Sequence, residues 1–109
     1  MTIDFDDENI LLTHEGQTAP IRWDSIESVF VYKQDLVIVD RIVTLIKVDG
    51  DLDIEIDEEM EGWKPLVDAM PKYLPNCRDF ADWFMEVAFP AFEAKPTLVY
   101  KRLRPCEVQ

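Results

Sequence analysis

The residues able to do chemistry are few: one histidine at 14, cysteines at 77 and 106, and twenty-three carboxylates. Most nucleophilic triads and dyads use His as the base, and His14 is the sole candidate here. It lies between Thr13 and Glu15 in a strand-like stretch, where an exposed or hydrogen-bonded His is the ordinary outcome. Cys77 precedes Arg78 near the start of a helical pattern, a setting that lowers a thiol pKa. No base accompanies it, so a buried structural thiol is the preferred reading, and Cys106 falls in a C-terminal tail. Zinc takes three or four Cys/His ligands, whereas this chain has three in all, scattered from 14 to 106. Glycine occurs only at 16, 50 and 62, which leaves no glycine loop for a phosphate. The inventory points to no catalytic residue, no metal and no cofactor, hence to a protein that is not an enzyme.

The carboxylates form the clearest constellation. Asp51, Asp53, Glu55 and Asp57 alternate with Leu52, Ile54 and Ile56, and Glu58, Glu59 and Glu61 extend the run. On a strand the alternating acids share one face at spacings of about 6–7 Å. Calcium prefers oxygen ligands, but its sites need a loop that curls them inward, and this run lacks the glycine of an EF-hand loop. A solvated, charge-protected edge is the bland alternative to a partner-binding face made of Asp51, Asp53, Glu55, Asp57, Glu58 and Glu59. The last acids of the run also stand where they would complement a helix N-terminus. A second candidate patch is aromatic: Phe89 and Phe92 flank Pro90-Ala91, either tucked beneath a helix or offered to a partner.

Charge separates along the chain. Residues 1–62 carry seventeen acids against four bases, −13, while residues 63–109 carry six against seven, +1. A field of that sign repels nucleic acid and anionic lipid and suits a basic protein partner, with ordinary solubility as the competing explanation. Leu36 to Val48, the most apolar run, is interrupted by Asp40, Arg41 and Lys47, short of the roughly 18 apolar residues a membrane helix requires. An acidic N-terminus without a basic, apolar leader favours a cytoplasmic protein with reduced thiols. The leading expectation is a non-enzymatic, acidic protein-binding module. One alternative is an immunity-like or nucleic-acid-mimicking inhibitor of a basic protein; the other is a self-associating structural protein, monomeric or a weak homo-oligomer.

These residues require positioning elements, and the periodicity supplies them. Chain length argues for one domain over 1–109, with strands through 57, helices across 61–89 and a closing strand at 97–103. Ile3 to Phe5 and Ile10 to His14 read as a hairpin, and Ala19 to Trp23 as a third extended segment. In Ile26 to Lys33, Val29 and Val31 face one way, Phe30 and Tyr32 the other. Asp49-Gly50 predicts a type I′ hairpin turn, and Leu52, Ile54 and Ile56 predict a core-facing row. Trp63, Leu66, Val67, Met70 and Leu74 share a helical face, with Pro65 in the first turn and Pro71 expected to end or kink the helix. A second helix fits Arg78 to Phe89, starting near Asn76 or Cys77.

Ile21-Arg22-Trp23-Asp24-Ser25-Ile26-Glu27-Ser28-Val29, then Asp40 with Ile42 to Leu45, then Gly62-Trp63-Lys64-Pro65-Leu66, resembles small uncharacterised bacterial proteins of pleckstrin-homology-like build. Leu74-Pro75 and Tyr100-Lys101-Arg102 fit the same group. The resemblance covers about two thirds of the chain and implies a curved sheet capped by a helix, with no assigned activity. The helix from Arg78 and the Pro-flanked segment depart from a plain domain of that type. Pattern and resemblance together predict an α+β class: a mostly antiparallel, curved sheet of five to seven strands packed against one or two C-terminal helices.

Overall fold

A computed structural model describes residues 1–35, 40–88 and 96–102. The chain begins as an antiparallel meander of Thr2–Phe5 (β1), Asn9–His14 (β2) and Gln17–Arg22 (β3). Asp6 makes the first turn by accepting from the backbone N–H of Glu8 and Asn9, at 2.9 and 2.7 Å, which is why an Asp-rich stretch works there. The second turn is Glu15-Gly16, both residues with positive φ, between the paired His14 and Gln17. This is the two-residue geometry that matches strand twist. Pro20 sits in β3, which among the described residues pairs with β2 alone; as an edge residue it blocks further pairing.

A 3-10 turn at Trp23–Ser25 ends this sheet and starts the next. Ile26–Asp35 (β4), Asp40–Val48 (β5), Leu52–Asp57 (β6) and Thr97–Lys101 (β7) form a four-stranded antiparallel sheet in the order β6-β5-β4-β7. The described residues thus make an α+β fold with seven antiparallel strands in two sheets. The hairpin at 49–51 exists, but Val48 pairs with Leu52, so its loop has three residues, and Gly50 and Asp51 take the positive φ. Leu52 is 53% exposed although Ile56 is buried, because the end of β6 overhangs the core. The segment Leu36 to Val39 lies outside the described residues, as do Phe89, Phe92 and Cys106.

Helix α1 (Trp63–Tyr73) is capped by Gly62 at φ +94, and α2 spans Phe80–Ala88. Pro65 falls in the first turn as expected. Pro71 does not stop α1, which continues two residues before Leu74 N–H closes on the Met70 carbonyl at 2.8 Å. Pro71 has no N–H to donate to the Val67 carbonyl, so α1 runs past it at the cost of one helical hydrogen bond. Neither Asn76 nor Cys77 starts α2; Asp79 does, its carboxylate accepting from Asp82 N–H at 3.0 Å. Asn76 instead takes a positive φ just past α1, a common helix-exit conformation.

The core fills the space between the two sheets and the helices. Ile10, Ile26, Ile46, Ile56, Leu66 and Leu74 are almost wholly buried, each worth about 1.5–3 kcal/mol in removed apolar surface. Val29 and Val31 join them from β4, while Phe30 and Tyr32 point the opposite way, as alternation requires. Trp63 donates its indole N–H to the buried Thr44 hydroxyl at 3.0 Å, locking α1 to β5. Trp23 stacks on Tyr73 with ring centres 4.7 Å apart and Phe5 packs edge-on against both, tying the first sheet to the end of α1.

Candidate functional site

The acids of β6 do project from one sheet face, but they are not idle there. Asp53 stands directly opposite Lys47 on β5, at 3.7 Å. Asp57 and Glu59 lie 3.4 and 3.7 Å from Arg41 Nη1, and Gln34 accepts from the same guanidinium. Glu55 accepts from the Tyr32 hydroxyl at 2.8 Å, diagonally across β5. Burial, reinforced by that bond to Glu55, pushes the Tyr32 phenol above its usual range. Glu58 reaches back to β5, where its Oε1 accepts from Ile42 N–H at 2.9 Å, and the first turn of α1 holds no acid. For Glu58 the expected role at the helix N-terminus is therefore replaced by a strand-extending bond. Asp51 sits in the turn beyond the strand.

Two kinds of partner must be distinguished. Arg41 and Lys47 cancel charge; a backbone N–H or a tyrosine O–H only orients it. Glu55 and Glu58 belong to the second kind. So do Asp6, which holds the first turn, and Asp7, which accepts from Tyr73 Oη at 3.0 Å. Elsewhere acids are matched: Asp24 with Arg22, Asp68 with Lys64, Asp82 with Arg78. The Arg22 hydrogen bond holds the Asp24 carboxyl below its ordinary range. Arg102 bridges Asp49 through both terminal nitrogens and also donates to the Asp24 carbonyl at 2.9 Å.

Comparison with protein-family models, curated proteins and solved structures gives no match.

The remaining sequence candidates are separated in space by their elements. His14 is exposed at the end of β2, its Nε2 3.8 Å from Glu15. Cys77 follows α1, and burial, with Asp79 nearby, pushes its thiol up to about 11, opposite to the lowering a reactive thiol requires. Among the described residues no three His, Cys, Asp or Glu side chains gather as metal ligands, and no helix is long and apolar enough to cross a membrane. Arg41 and Lys47 are the residues that sequence reading overlooked. Their signal was present as basic positions on the strand just before the acidic run, across the turn at 49–51, where hairpin pairing brings them beside it.

Proposed function

We propose that the chain is a non-enzymatic protein-binding module whose acidic surface receives a basic protein. The observation that carries this reading is the manner in which Asp6, Asp7, Glu55 and Glu58 are held. Each carboxylate is fixed by neutral donors, so its direction is set while its charge stays available. Oriented but uncancelled charge lowers the ordering cost a partner must meet on binding, and electrostatic complementarity then speeds encounter and selects against acidic competitors. The cytoplasmic setting and the pleckstrin-homology-like kinship belong to the same proposal. Two antiparallel sheets joined to helices support that kinship, and β7, which follows the helices, departs from it.

Neutralisation at constant hydrogen bonding is the test. Asp6→Asn, Asp7→Asn and Glu58→Gln together keep an acceptor at every position and remove three charges. A control triple, Asp24→Asn, Asp68→Asn and Asp82→Asn, removes the same formal charge from acids already matched by cations. Binding of an arginine-rich peptide, followed by calorimetry between about 50 and 300 mM salt, should weaken with salt. It should weaken at least about fivefold more in the first triple than in the control. Equal losses in the two triples, or affinity insensitive to salt, would overturn the proposal.

A further inference from the structure

Strand β6 leaves one of its edges open. Among the described residues it pairs with β5 alone, and the parity of that ladder is set by Glu58, whose N–H donates to the Ile42 carbonyl at 3.0 Å. By alternation Ile56, Ile54 and Leu52 turn their backbone groups toward Thr44, Ile46 and Val48. The N–H and C=O groups of Asp53, Glu55 and Asp57 therefore point away from β5. The Asp57 carbonyl accepts from Met60 N–H at 3.1 Å, which curls the chain off the edge. Asp53 and Glu55 keep their backbone donors and acceptors unpaired among the described residues.

The two sides of this edge differ in chemistry. On the outer side, Asp53, Glu55, Asp57 and Glu59 outnumber Lys47 and Arg41 by two charges. On the inner side, Leu52 is 53% exposed and Ile54 is half-buried, although Ile56 in the same row is buried. An incoming strand would thus meet open backbone, acid on one side and uncovered aliphatic surface on the other. Charge decides the occupant. A second copy pairing edge to edge through β6 would set Asp53 and Glu55 beside the same acids of its twin, which repels. A basic chain is attracted at the same positions.

We infer that β6 takes up an extended basic segment of a partner protein as an added, antiparallel strand. In that pairing the two residues that exchange bonds with Glu55 and Asp53 stand directly opposite them, with their side chains on the acidic face. The residues opposite Ile54 and Leu52 fall on the aliphatic side. The segment accepted therefore reads basic, apolar, basic, apolar. Main-chain bonds supply affinity, and the alternating side chains fix register. Strand addition at β6 rests on the basic-partner reading and gives it a place and a direction.

The probe is the end-capped peptide Ser-Thr-Arg-Val-Arg-Leu-Ser, titrated into the full chain at about 50 mM salt. Its arginine N–H groups aim at Glu55 and Asp53, while those of its valine and leucine aim away from the sheet. N-methylation of both arginines keeps the side chains and their charge but blocks the edge, and should weaken binding at least about twentyfold. N-methylation of the valine and leucine instead should change it by less than about threefold. With the unmethylated peptide bound, hydrogen exchange at the Asp53 and Glu55 amides should slow at least about tenfold. Equal affinity for all three peptides, falling with salt, would overturn strand addition and leave the basic-partner reading standing. Salt-insensitive binding would overturn both. Slow exchange at these two amides in concentrated protein without peptide would overturn the inference in favour of a second copy.

Discussion

Replacing Gly62 with alanine should cost more than any other single methyl group added to this chain. Two terms contribute. Gly62 has φ +94, where an L side chain is strained by about 1–2 kcal/mol. A Cβ at this position would also stand 1.9 Å from the Ile3 carbonyl oxygen and 2.8 Å from its carbon. Backbone cannot swing aside as a side-chain tip can. Here it is pinned: Ile3 N–H donates to the Glu61 carbonyl at 2.8 Å, and Ile3 pairs with Leu12 in the sheet. Relief requires β1 and the start of α1 to separate, with loss of that bond and loosening of the buried Ile3, about 1–3 kcal/mol more. The total is about 2–5 kcal/mol, a large share of the 5–15 kcal/mol typical of whole domains. Gly50→Ala is the internal standard. Gly50 has φ +87 but open space where the Cβ would go. It therefore reports the backbone term alone, reduced by the entropy that alanine removes from the unfolded chain, to about 0.5–1.5 kcal/mol. Urea unfolding of the two variants should separate them by about 1–3 kcal/mol, read from midpoints at a common slope. A separation below about 0.5 kcal/mol would refute the contact argument and leave only the dihedral one.

Thr44→Val removes the acceptor of a buried indole N–H and should cost about 1–3 kcal/mol in the same assay, whereas Thr44→Ser, which keeps the hydroxyl, should cost about 1. With Cys106 changed to Ser, the remaining Cys77 thiol should react with iodoacetamide at pH 8 about a hundredfold more slowly in the folded chain than in urea, since its pKa moves from 9.0 to about 11. The sign of the linkage follows from the same shift. A folded pKa raised above the unfolded one gives a stability contribution that is complete below pH 9 and lost as pH climbs towards 11. Chemical denaturation at pH 8 and at pH 10.5 should show that decline, and a Cys77→Ala variant should show a smaller one, the remainder coming from groups such as the Tyr32 phenol that are raised in the same direction.

Local grammar made much of the fold readable. Alternation placed Val29 and Val31 in the core and Phe30 and Tyr32 outside, and helical spacing found the buried face of α1. What failed were questions whose answers lie between elements. Asp49-Gly50 is the better hairpin pair by type, yet the two-residue turn forms at Glu15-Gly16, because register is fixed by the whole ladder and not by two residues. Leu52 continues an apolar row that outruns the core it would fill. The acidic run of β6 was visible at once, but its meaning was not. Whether Asp53 and Asp57 face water or a cation depends on Lys47, set directly opposite Asp53 by strand pairing, and on Arg41, which reaches Asp57 from two positions along β5. The open edge of β6 is hidden for the same reason, since only the ladder decides which backbone groups stay unpaired.

Strand β7 has one more consequence, which concerns time. It pairs with β4, some seventy residues earlier in the chain, and Arg102 fastens it to Asp49 and to the carbonyl of Asp24. At about 5–20 residues per second, a ribosome delivers β7 roughly 4–14 s after β4. Throughout that interval β4 can pair with β5 on one side only, and its other hydrogen-bonding edge stays open. Nascent chains are thus most vulnerable to strand exchange with one another until β7 has been made. Arg102, bonded to two turns that are made much earlier, acts as the latch that closes this window.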